Sequence, residues 1–175
     1  MKDFCELIAV RRSHRKFTEE AVSEETLKLL HRAALMAPSS KGLHSYEFVT
    51  VMKKEKLSSL SQCKDMGGEL LAGASAAIVV LGDPGVSDTW IEDASVAATM
   101  VLLQAEDLGL GGCWVQVRGR QDSAGHPAED NVRRLLGIPE EKRVLCIIAL
   151  GHKGAERKPQ NEERLKWEKV HREQW

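Results

Sequence analysis

Apolar and polar positions along this chain alternate between a helical rhythm and a strand rhythm. Phe4, Leu7 and Ile8 recur at helical spacing over residues 3 to 10 and predict a short first helix. Ser23 precedes Glu24 and Glu25, and Leu27, Leu30 and Ala34 then repeat on one face. That reads as a capped second helix, stopped by Pro38 and followed by a loop at "SSKG". "YEFVTVM", residues 46 to 52, reads as a strand, and "LSSLSQC" and "GGELLAG" as short helical pieces. The unbroken apolar run "SAAIVVLG", residues 75 to 82, has the look of a buried strand, closed by the turn residues of "GDPG". The longest helix is predicted within "TWIEDASVAATMVLLQAEDLGLGG". There Ile91, Ala94, Ala98, Val101, Leu102 and Ala105 line one face, and Gly109 ends it. "CWVQV", 113 to 117, and "VLCIIAL", 144 to 150, are further strands, with a short helix at "AEDNVRRLLG" between them.

Helices interleaved with strands in this order predict a three-layer α/β or α+β sandwich, a single domain over residues 1–175. Spacing alone does not decide the strand order. The small residues of the longest helix would let another helix approach closely, one from a second subunit included. From His152 onward the chain has no apolar core of its own, yet carries Trp167 and Trp175. Such surfaces are costly to leave in water, so the tail is expected to pack on its own body or on a partner.

Charge removes several function classes. The chain has 25 basic and 26 acidic residues, a net charge of −1, so a global basic field for nucleic acid is absent. No run approaches a membrane span, and "MKDFCELIAVRR" does not read as a secretory leader. The expectation is a soluble cytoplasmic protein. Cys5, Cys63, Cys113 and Cys146 are widely spaced and form neither a metal ladder nor a disulfide framework. The histidines are scattered, without a metal signature, and read as surface residues. Cys113 reads as a buried thiol on a strand, with no base in view to make it a nucleophile.

One segment breaks the even distribution of charge. "AVRRSHRKF" places Arg11, Arg12, Arg15 and Lys16 together, with Ser13 and His14 between them. A solvated helix end is one reading. A phosphate clamp is the other: in an extended segment Arg11, Ser13 and Arg15 share a side, and guanidinium forks suit a phosphomonoester. The glycines of "EDLGLGGCW" do not make a dinucleotide fingerprint, because they follow a helix and precede a strand. They offer bare backbone that a flat ligand could approach.

The order of "RRSHRKF", "AALMAPSSKGLHSYEFV", "DASVAATMVLLQAEDLGLGGCWV", "LLGIPE" and "ALGHKGAERKP" resembles the nitroreductase family of flavoproteins over nearly the whole chain. The resemblance implies an α+β fold: a central mixed sheet flanked by helices in an intertwined homodimer, with FMN in a cleft at the interface. It implies that Arg11, Arg12, Ser13 and Arg15 bind the FMN phosphate and ribityl chain. By the same match Pro38, Ser39 and Ser40 cover the flavin from the other subunit. Gly111 and Gly112 lie near the ring, and Gly151 and Arg157 belong to the last phosphate-binding segment. The flavin carries the chemistry, so no catalytic side chain is implied, and no metal. NAD(P)H would be the co-substrate and a nitroaromatic or quinone the acceptor, in ping-pong turnover. A relative that binds flavin for cleavage, dehalogenation or storage is a second reading, and a non-enzymatic binding module a third. The chain departs from the family pattern after the serine pair, with Gly42, His44, Ser45 and Tyr46 where Asn and then Gln-Pro-Trp are usual.

Overall fold

The computed structural model describes residues 3–175. Five α-helices are described: α1 (Phe4–Val10), α2 (Glu24–Leu35), α3 (Lys54–Leu60), α4 (Trp90–Asp107) and α5 (Ala128–Leu136). The strands are β1 (Tyr46–Val51), β2 (Ala76–Gly82), β3 (Leu110–Gln116) and β4 (Arg143–His152). Local chemistry sets the helix ends as the sequence suggests. The Ser23 hydroxyl accepts from the Thr26 N–H at 3.1 Å to open α2, and Gly137 closes α5 in the left-handed region at φ 68°.

The strands form one sheet in the order β1-β2-β4-β3, and every adjacent pair is antiparallel. The mixed sheet expected from the resemblance is thus corrected. The only parallel pairing among the described residues is an isolated bridge between Ser13 and Gly112 at the outer edge of β3. There the basic segment runs extended, with the His14 N–H donating to the Gly112 carbonyl at 3.1 Å. A second correction concerns where β3 starts. It begins at Leu110, so Gly111 and Gly112 are strand residues and not a loop before it.

Strands β2 and β4 are central, and every residue of β2 is buried. Side chains alternate across the pleat, so one strand feeds two cores. Ile78, Val80, Ile148 and Leu150 pack with α2 and α4 on one face, whereas Val79, Leu81, Ile147 and Ala149 pack with α3 and α5 on the other. Helix, sheet and helix therefore make three layers. Each fully buried Ile, Leu or Val contributes about 1.5–3 kcal/mol. The tail is different. Residues 154–175 are exposed, with Trp167 and Trp175 at 71% and 102% relative exposure.

Candidate functional site

Two clusters coincide with the residues singled out in the sequence. The first lies along β3. The extended basic segment brings Arg11, Ser13 and Arg15 to the side chain of Cys113, and the tail brings Arg157 to the same place. Burial pushes the Cys113 thiol above its ordinary value, against the opposing pull of Arg15, a hydrogen bond from Ser13, and the charges of Arg11 and Arg157. The thiol therefore stays protonated, and among the described residues no ion pair engages the Arg11, Arg15 or Arg157 guanidinium, although Glu156 shares a cavity wall with Arg15 and Arg157. Cations and a hydroxyl so arranged suit a phosphomonoester, which carries nearly two negative charges and three acceptor oxygens. A cavity of about 390 Å³, lined by His14, Arg15, Lys16, Ala155, Glu156 and Arg157, adjoins them.

Arg12 does not join this group. Its guanidinium donates to the carbonyls of Lys158 and Pro159, at 2.6 and 3.2 Å, and so ties down the start of the tail. The glycines are also closely packed by protein side chains. A Cβ at Gly111 would lie 2.8 Å from the His14 Cβ, one at Gly112 would lie 2.9 Å from Leu102 Cδ2, and one at Gly151 would meet Phe17 at 3.0 Å. Protein side chains already occupy the space beside all three, and at Gly111, where the obstructing atom is a Cβ, close internal packing favours glycine most strongly.

The second cluster is the loop from Pro38 to Ser45. The buried Asp93 of α4 anchors it. The Ser40 N–H donates to Asp93 Oδ1 at 2.8 Å, and the Ser45 and Ser87 hydroxyls donate to Oδ2 at 3.4 and 3.3 Å. Ser39 Oγ accepts from the His44 N–H at 3.0 Å. The Tyr46 hydroxyl donates to the Ala37 carbonyl at 2.7 Å and therefore accepts from His44 Nδ1, also at 2.7 Å. Burial, reinforced by Asp93, pushes the Tyr46 hydroxyl above its ordinary value, so it stays protonated. Lys41, Gly42 and His44 all have positive φ, at 52°, 66° and 46°. Two of the three are not glycine, which marks a backbone held in place by its surroundings.

Within one chain the clusters lie at opposite ends of α4. Asp93, in its first turn, holds the loop, while Leu102 and Ala105, near its end, pack on Gly112. At 1.5 Å per residue the separation along the helix is about 18 Å. The residues Pro38, Ser39 and Ser40 are thus not brought to the arginines of their own chain. An apolar groove of about 280 Å³ lies on the surface of α1, α2 and α4, with Phe4, Leu7, Ala33, Met100 and Leu103 in its walls.

Comparison with known proteins places this arrangement. The model of the Nitroreductase family matches residues 8–66 and 59–152. The chain belongs to the nitroreductase family. A solved FMN-dependent nitroreductase from Clostridium difficile R20291 superposes with a TM-score of 0.94 at 44% identity, covering 97% of this chain and 98% of that one. A second solved structure, that of a Parabacteroides distasonis protein carrying the name NADH dehydrogenase/NAD(P)H nitroreductase, gives 0.90 at 29% identity with full coverage of both chains. An Archaeoglobus fulgidus protein that carries the name NADH dehydrogenase/NAD(P)H nitroreductase is 33% identical over 180 residues, all of both chains. The α+β fold of this nitroreductase-family chain is therefore that of its relatives.

Three residues of the site escaped sequence reasoning. His14 is buried, not on the surface, and Asp93 and Glu106 are buried anchors on a helix whose apolar stripe drew attention away from them. His31 is also partly buried, with Nε2 2.6 Å from the Thr50 hydroxyl. The one available signal was position. His14 alternates with Ser13 and Arg15, which in an extended segment turns it to the opposite side. Among the described residues no group of His, Cys, Asp and Glu is arranged to hold a metal, and no helix is long and apolar enough to cross a membrane.

Proposed function

We propose that this protein is a homodimeric, FMN-dependent NAD(P)H oxidoreductase that reduces nitroaromatics, quinones or similar flat acceptors. The observation that carries the reading is the convergence of Arg11, Ser13, Arg15 and Arg157 on one patch beside β3. Arg15 and Arg157 would hold the FMN phosphate, Ser13 would add a hydroxyl donor, and Arg11 would reach toward the ribityl chain. FMN when bound supplies the two-electron chemistry, from reduced nicotinamide to acceptor. The protein binds, orients and shields it, and no side chain need act as acid or base.

The second cluster supports a shared site. Pro38, Ser39 and Ser40 lie too far along α4 to meet the arginines of their own chain, and in a two-fold dimer they would close the site of the partner. Lys41 and His44 lie in the same rigid loop, next to or at the positions that depart from the family pattern; Lys41 would offer a donor to ligand or acceptor, and His44, whose Nδ1–H is given to Tyr46, an acceptor at Nε2. The apolar groove on α1, α2 and α4 and the exposed tail tryptophans supply surface for such an interface. Donor and acceptor would use one cleft in turn, which gives ping-pong kinetics. The names of the relatives, NAD(P)H nitroreductase and FMN-dependent nitroreductase, agree with this reading.

The test begins with colour: purified protein should be yellow and release FMN, not FAD. In anaerobic stopped-flow, NADH or NADPH should bleach the bound flavin and a nitroaromatic or quinone should restore it. Tightly bound flavin that neither nicotinamide reduces would favour a binding or storage role instead.

A further inference from the structure

A buried titratable cluster sits behind the basic segment, and the proposed flavin chemistry makes no use of it. His14 follows Ser13 and precedes Arg15, yet the residue is only 4% exposed and packs against Gly111. Glu106 of α4 is equally buried and accepts from Lys153 Nζ at 2.6 Å. Burial acts most strongly on the His14 ring and disfavours its charged form. Lys153 and Arg157 also oppose a proton there, while Glu106 and the backbone of Ala155 favour one, and the balance holds His14 below the ordinary imidazole value. Two cavities, of about 390 and 550 Å³, share His14, Ala155, Glu156 and Arg157 as walls. Arg15 and Lys16 complete the first, and Glu106 and Lys153 face the second.

This geometry joins the histidine to the clamp. Arg157 faces both Cys113 and His14, so an anion held by Arg15 and Arg157 enters the electrostatic field that keeps His14 neutral. A phosphomonoester brings nearly two negative charges and offsets the cations that oppose the proton.

We propose that His14 is a proton-coupled positioning residue of the clamp, taking up a proton as a phosphomonoester enters beside Arg15 and Arg157 and so tying affinity for the phosphate to pH. The proposal rests on the flavin reading only for the identity of the molecule that carries the phosphate. Its sign follows from linkage: a group that binds a proton on ligation strengthens binding as the pH falls toward its bound-state pKa. The second ionisation of the phosphate acts the other way, but it is common to every variant. The ratio of wild-type to His14→Asn affinity therefore isolates the histidine.

The experiment is a fluorescence-quench titration of FMN into the full-length protein and into His14→Asn. From about pH 8 to about pH 5.5, the wild-type to variant affinity ratio should rise at least ~threefold. An NMR titration of the His14 ring in the wild-type chain needs no variant. Its midpoint should move up when the protein is saturated with FMN or with inorganic phosphate, and Glu106→Gln should lower it. A flat affinity ratio, or a midpoint that neither ligand moves, overturns the proposal. FMN bound with no movement of His14 rejects this role and leaves the flavin reading standing. A midpoint moved by phosphate in a chain that does not bind FMN rejects the flavin reading and leaves the clamp.

Discussion

Arg15 and Arg157 come from opposite ends of the chain to one buried thiol, and neither forms an ion pair among the described residues. Their replacement is the sharpest test of the clamp. Arg15→Ala and Arg157→Ala should each weaken FMN binding about ten- to a hundredfold, the effect of losing a charge-assisted contact of about 1.5–3 kcal/mol. Lys16→Ala should do less, and equal small effects at all three positions would return the segment to solvated surface. Gly111 gives the complementary test. Its missing Cβ would lie 2.8 Å from the His14 Cβ, inside the packed edge of β3. Gly111→Ala should therefore cost about 1–3 kcal/mol of stability in urea melts. A variant of unchanged stability that no longer bound flavin would show that the glycine serves the ligand. At this scale the arginines were legible, because charge density is a property of sequence. The role of Gly111 was not, because it depends on His14 lying across the strand.

Most elements could be read from spacing alone. The Ser23 cap, the apolar run of β2, the stripe of α4 and the glycine that ends α5 are local devices, and each formed where it was expected. The start of β3 was misread because glycine has little strand preference of its own; pairing with β4 and with Ser13 holds Gly111 and Gly112 extended. The loop before α5 carries a further device. Asp122 accepts from the Ala124 and His126 N–H groups, each at 2.9 Å, and from Asn131 Nδ2, also at 2.9 Å. These bonds, that from Asn131 foremost, draw its carboxyl down to about 2. The folded value lies below the unfolded value of about 3.9, so the stabilisation is complete above that pH and is lost as pH falls toward the folded value. Asp122→Ala should therefore lower stability at neutral pH, and the difference from wild type should shrink between about pH 4 and pH 2. A difference that stayed constant in urea melts across that range would remove the linkage.

The whole molecule leaves several large apolar side chains uncovered. Phe4 in the wall of the α1, α2 and α4 groove is 65% exposed, Leu35 and Met36 at the end of α2 are 60% and 61% exposed, and Trp167 and Trp175 are more exposed still. An obligate dimer burying on the order of 2,000 Å² is expected. Sedimentation should find a dimer even at nanomolar concentration, and Leu103→Asp in the groove should weaken dimerisation and FMN binding together. A stable, FMN-loaded monomer would contradict both. By itself the sequence determined the helices and strands, the layered class, the basic segment and, through five ordered motifs, the family resemblance. These rest on periodicity, capping and charge, which act between near neighbours in the chain. Only the tertiary structure decided the order β1-β2-β4-β3, the turning of Arg12 onto the tail, the burial of His14 beside Glu106 and Lys153, and the separation of the arginine cluster and the Pro38–Ser45 loop along α4. Each of these depends on which distant segments share a sheet edge or a helix face. That is settled by burying apolar surface and satisfying backbone hydrogen bonds across the whole chain, and no local pattern records it.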